Sequence, residues 1–122
     1  MRVFRVEDCN GEGPYNGSNK TAVGAAMPHL MASAWDVAPR HPMPCHDVPG
    51  WADQLGRGDY HFAFSSIEQM HVWFNVAERQ ALHGLGFSVA PYDVPADDVL
   101  IGGCQVAFNR TKAARVARQP IA

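Results

Sequence analysis

Four stretches of the chain read as β-strands, the first two by alternation of side chains at the strand period. Met1 to Val6 turns Phe4 and Val6 to one side and Val3 and Arg5 to the other, which predicts a first strand. Tyr60 to Ser65 sets Tyr60, Phe62 and Phe64 against His61, Ala63 and Ser65, which predicts a second. Phe87 to Val94 reads as a third, interrupted only near Pro91, and Gln105 to Asn109 as a last strand after a Gly102-Gly103 bend.

Between the second and third strands the period changes. Ile67, Met70, Phe74, Ala77 and Ala81 recur at three- and four-residue spacing with Trp73 at the flank, so one amphipathic helix is expected to lay an apolar stripe on the sheet. Ser65-Ser66-Ile67-Glu68 matches a capping box with Ser65 as the cap, and Gly84 and Gly86 supply left-handed positions to end the helix.

The rest of the chain is less regular. Glu7 to Asn19 carries Asn10-Gly11, Gly13-Pro14 and Asn16-Gly17, and so reads as a loop with several tight reversals. Thr21 to Trp35 is rich in Ala, Met and Leu, but Gly24 and Pro28 reduce it to a short or broken helix. Prolines at 39, 42, 44 and 49 predict an extended connection, and Trp51 to Leu55 one helical turn.

These elements define an α+β fold, a small antiparallel sheet with one main amphipathic helix, in a single domain over 1–122. The length of 122 residues and an apolar fraction of 47% suffice to bury a core without metal or disulfide staples. Twelve acids against 10 bases leave no basic field for a nucleic-acid partner. The one basic run, Arg110, Lys112, Arg115 and Arg118, reads as a solvated tail. Cys9, Cys45 and Cys104 form no CxxC pair and fit a reducing compartment. With no apolar stretch long enough for a signal peptide or membrane span, the expected location is the cytoplasm.

Candidate chemistry is sparse. His41-Pro42-Met43-Pro44-Cys45-His46-Asp47 gathers zinc-ligating types, but it lacks paired CxxC or HxxxH spacing, so no metal is expected. Neighbouring Cys45 and His46 point opposite ways in an extended chain, which argues against a thiol nucleophile. Trp35, Trp51 and Trp73 read as core or loop anchors, and His71 and His83 as ordinary helix-surface positions.

The order of Arg5 on the first strand, a glycine loop, Phe64-Ser65-Ser66 at a helix start and Gln105 on the last strand resembles the ADP-ribosyltransferase superfamily, including its small bacterial and phage members. That resemblance implies an NAD site. Arg5 would hold ribose or phosphate, Ser65 and Ser66 would brace the nicotinamide-side ribose, and Gly13 and Tyr15 would bring backbone amides and a stacking ring to the ligand. Gln105 would occupy the place of the family's catalytic glutamate. An amide can hydrogen-bond a ribose hydroxyl, but it neither takes a proton as a base nor offsets an oxocarbenium-like charge. The expected function is therefore an NAD-binding, ADP-ribosyltransferase-like protein with altered chemistry on a macromolecular acceptor, possible catalytic residues being Gln105 and Ser65. The alternative is a non-catalytic protein-binding module or inhibitor of mobile-element origin.

Overall fold

The protein is described by a computed structural model covering residues 1–15, 17–27, 47–50 and 59–122. Strand β1, Arg2–Glu7, pairs along its whole length with antiparallel β3, Ser88–Asp93, running from Arg2 opposite Asp93 to Glu7 opposite Ser88. Two short strands, β6 at Ala114–Arg115 and β7 at Gln119–Pro120, lie along the far side of β3. A second antiparallel sheet places β5, Val106–Asn109, between β2, Tyr60–Ala63, and β4, Val99–Ile101. The sheets join where Phe4 and Phe64 exchange both backbone hydrogen bonds at 2.8 Å.

Pro91 sits inside β3, a position where its missing N–H would ordinarily cost a ladder bond. Its partner across the sheet, Phe4, spends its N–H and C=O on Phe64, so β1 asks nothing of Pro91. The Pro91 carbonyl instead accepts from the Val116 N–H at 2.9 Å, between the stretches where β6 and β7 pair with β3. The proline therefore falls where the outer strand is broken.

Alternation along β1 splits the core in two. Phe4 and Val6 face the helices, where Phe64, Met70, Trp73, Phe74 and Leu82 pack around them. Val3 faces the other way, into a core between the two sheets with Ala63, Tyr92, Val106 and Phe108, in which the Tyr92 and Phe108 rings lie 5.1 Å apart. The α+β class and the antiparallel pairing agree with the sequence pattern. Two sheets stand in place of one, however, and the short strands β4, β6 and β7 carry too few residues for a period to be read.

The expected single helix is two: α2, Ile67–Trp73, and α3, Val76–Gly84, preceded in the chain by α1, Gly17–Ala26. Phe74 turns to extended backbone at φ −115° and ψ 113°, and Asn75 caps α3 with a full capping box: its side chain accepts from the Glu78 N–H at 2.9 Å, and the Glu78 carboxylate from the Asn75 N–H at 2.7 Å. This break shifts the stripe. Phe74 stays in the core at 1% exposure, Ala77 becomes exposed, and Glu78 and Leu82 turn inward instead. At the start of α2 the cap is Ser66, not Ser65: its hydroxyl accepts from the Gln69 N–H at 3.0 Å, while the Gln69 side chain returns to the Ser65 N–H at 2.8 Å. Of the two glycines expected to end the helix, only Gly86 adopts a left-handed φ, at 94°.

Helix α1 begins four residues before Thr21, tolerates Gly24, and ends ahead of Pro28. The zinc-type residues His41 to His46, the prolines at 39, 42 and 44, and Trp35 and Trp51 lie outside the described residues. No helix among the described residues is long and apolar enough to cross a membrane.

Candidate functional site: an arginine cluster over Glu7

Where the core between the sheets ends, β1 places Arg5 and Glu7 on the same face as Val3. Glu7 is fully buried, a costly position for a carboxylate unless it is paired and hydrogen-bonded. It is paired from every side. Arg5 Nε lies 3.1 Å from Oε2, Arg118 Nη2 2.8 Å and Arg115 Nη2 3.3 Å from Oε1, and Arg110 Nη1 3.8 Å from Oε2. The Tyr92 hydroxyl reaches both carboxylate oxygens, at 3.0 and 3.1 Å, and accepts from Arg115 Nη2 at 2.9 Å. Arg115 also lies over the Tyr92 ring, 5.6 Å from its centroid.

The C-terminal basic run is thus no free tail. Arg110, Arg115 and Arg118 return to the first strand and close on Glu7, which corrects the reading of a solvated end. Four guanidinium groups surround one carboxylate, and two further acids lie at the edge of the cluster, Asp8 beside Arg118 and Asp59 3.6 Å from Arg110 Nε. Arg5 is deeply buried, and burial pushes its guanidinium below its ordinary pKa while Glu7 pulls it back up.

The glycine loop after β1 lies against these arginines. Asp8 organises it, accepting from the N–H groups of Asn10 at 2.8 Å and Glu12 at 3.0 Å and from the Asn19 amide at 2.8 Å. Burial pushes the Asp8 carboxyl up, but these hydrogen bonds and Arg118 outweigh it and hold the group below its ordinary value. Gly11 takes φ 82°, which L side chains rarely adopt, and its carbonyl accepts from Arg110 Nη1 at 2.8 Å. A Cβ on Gly13 would stand 3.1 Å from Arg5 Nη2, so the loop backbone rests directly against that guanidinium.

Arg110 also reaches the opposite edge. Its Nε lies 3.6 Å from Asp59 Oδ2, and Asp59 Oδ1 is 2.6 Å from His61 Nε2. Burial, with Arg5 and Arg110 adding to it, pulls the His61 pKa below its ordinary value despite the Asp59 hydrogen bond that raises it.

The residues singled out from the sequence fall into separate places. Arg5 and Gly13 meet. Ser65 and Ser66 serve the N-terminus of α2, and the Tyr15 hydroxyl accepts from Trp73 Nε1 at 3.0 Å, on the helical side. Gln105 ends the β4–β5 turn, where its carbonyl accepts from the Gly102 N–H at 2.9 Å. Around it the N–H groups of Gly103, Cys104 and Gln105 converge on the Asp47 carboxylate at 3.0 to 3.1 Å. No hydrogen bond or ion pair among the described residues links Arg5 to Ser65 or Gln105.

The fold and site together define an α+β protein with a buried glutamate clasped by arginines from both ends of the chain. Residues 1–122 match the family described as Bacteriophage T4 Y00F protein, and the chain belongs to that family. A relative in Enterobacteria phage T4, described as an uncharacterized 19.7 kDa protein in the motB-dexA intergenic region, is 46% identical over 68 residues. The match covers 56% of this chain and 39% of that relative, so the aligned part spans about two fifths of the relative's length. No solved structure matches. The family match overturns the resemblance to ADP-ribosyltransferases, since no such family is indicated. The serine motif that suggested it has a local explanation in the cap of α2.

Proposed function

We propose that the arginine cluster over Glu7 binds a phosphorylated ligand, and that this ligand is a dinucleotide such as NAD or its ADP-ribose part. The observation carrying this reading is the gathering of charge: four guanidinium groups lie within 3.8 Å of one carboxylate, which accepts hydrogen bonds from Arg5 and Arg118. Arg110 and Arg118 are about one quarter exposed and Arg115 about half, so donors remain on the solvent side, and guanidinium forks suit phosphate oxygens. Four guanidinium groups within a few ångströms of one another offer donors to the oxygens of two adjacent phosphates, as a pyrophosphate presents them.

The test is a thermal-shift titration of the wild type and of Arg115→Ala with NAD, ADP-ribose and inorganic phosphate. A ligand that binds only the folded state raises the melting temperature by mass action. The dinucleotides are expected to raise it well below the phosphate concentration that does so, and Arg115→Ala to remove most of the shift. No shift in the wild type at millimolar NAD or ADP-ribose would end this reading.

A second reading, a protein-binding module, is favoured by Val72 and Val76, which are 65% and 59% exposed at the α2–α3 junction. A partner captured from host lysate by the wild type and lost with Val72→Glu would support it.

A further inference from the structure

His61, on one face of β2, stands beside the arginine cluster with an acid attached. Its Nε2 hydrogen-bonds Asp59 Oδ1 at 2.6 Å, and its side chain is 19% exposed. With Nε2 carrying the proton toward the carboxylate, Nδ1 is the lone-pair nitrogen, and it has no hydrogen-bond partner among the described residues. The Asp59 carboxyl is pushed up by burial but is held below its ordinary value by His61 and Arg110, so it is ionised at neutral pH and fixes the ring's tautomer.

Two features tie this pair to the anion site. Arg110 spans both, donating to the Gly11 carbonyl at 2.8 Å from Nη1 and lying 3.6 Å from Asp59 through Nε. The Phe4–Phe64 bridge carries β1 past β2 so that Arg5 and Glu7 run toward Ala63 and His61, and Arg5 Nη1 donates to the Phe62 carbonyl at 2.9 Å. The charged groups acting on His61 are Asp59 before its own strand, Arg5 on β1 and Arg110 after β5.

We infer that His61, oriented by Asp59, is the general base of a hydrolytic site that cleaves the phosphoanhydride of a dinucleotide held by the arginines. This rests on the phosphate-binding reading above. His61 Nδ1 takes a proton from water as the water oxygen forms a new bond to one phosphorus. The bond from that phosphorus to the bridging oxygen breaks, its electron pair staying on the departing nucleoside monophosphate. The leaving phosphate needs no proton from an acid, and the charge gathering on the phosphoryl oxygens falls among Arg110, Arg115 and Arg118. The proton passes from His61 to solvent. Unlike glycosidic transfer, this chemistry needs no carboxylate at Gln105.

The experiment incubates the purified full chain with NAD or ADP-ribose and separates the products by anion-exchange chromatography, with thermal shift measured in parallel. AMP is expected from both, with nicotinamide mononucleotide from NAD and ribose 5-phosphate from ADP-ribose. His61→Asn should lower turnover by about 100-fold or more while keeping the ligand-induced shift. The wild-type rate should rise with pH through an ionisation below the ordinary histidine value and then level off. Asp59→Asn, which removes the group that raises the His61 pKa, should move that limb to lower pH and reduce the plateau. A ligand shift without AMP, release of free nicotinamide instead, or undiminished turnover in His61→Asn would overturn the hydrolytic inference and leave the binding reading standing. Absence of both shift and AMP would overturn the two together.

Discussion

Arg118 Nη2 lies 2.8 Å from Glu7 Oε1, although 111 positions separate the two residues in the chain. The contact joins the C-terminal segment to the first strand at the most buried charge among the described residues. It also explains how two strands as short as β6 and β7 hold their places: they are set beside β3 by arginines that reach over it to β1.

Glu7→Gln should destabilise the fold by about 3–5 kcal/mol, because it leaves several guanidinium groups facing one another around a neutral side chain. Arg118→Ala should cost less, and Arg115→Ala under about 1 kcal/mol, since half of that side chain is in water. Urea unfolding of the three variants checks the order. Equal effects for Arg115→Ala and Glu7→Gln would contradict the placement of Glu7 at the centre.

Asn75→Ala removes the side-chain half of the α3 capping box, the bond accepted from the Glu78 N–H, and should cost about 1 kcal/mol. Ser66→Ala should cost a similar amount and Ser65→Ala distinctly less, since Ser66 accepts from the Gln69 N–H while Ser65 offers the helix only a 3.2 Å contact to the Gln69 side chain. Thermal denaturation of the pair decides which serine is the cap.

Gly102→Ala would drive its new Cβ to 2.6 Å from the Asp47 carbonyl oxygen and 2.7 Å from that of Gln105, both of them backbone atoms. Relief requires the β4–β5 turn to move, and a loss of about 1–3 kcal/mol is expected. Asp47→Ala should fall in the same range by stripping the acceptor from three turn amides. A hydrogen-exchange measurement should find the Gly103 to Gln105 amides exchanging faster in both variants.

Acid titration should weaken the fold through Asp8. Its folded pKa lies below the unfolded value of about 3.9, so its contribution is fully present above that value and disappears as pH falls through the depressed one. Asp8→Asn should flatten the acid limb of the stability curve below about pH 4. Denaturant midpoints measured at steps of pH for wild type and variant make the comparison, and parallel limbs would argue against the loop geometry around Asp8.

The sequence alone determined the alternating strands at β1, β2 and β3, the start of a helix near residue 66 and the α+β class, because each depends on side-chain periods and caps that act within a few residues. It also carries the break between the helices: Asn75-Val76-Ala77-Glu78 has the capping-box spacing that divides α2 from α3. What only the tertiary structure decided is the site. Arg5 and Gly13 were legible as neighbours of one loop, but that Arg110, Arg115 and Arg118 turn back to Glu7 depends on strand pairings across about a hundred residues, and no local pattern encodes them. A charged run looks the same in sequence whether it meets water or a buried carboxylate. The difference lies in the charge of Glu7, which burial on β1 makes costly and which the arginines offset only once the sheet has formed.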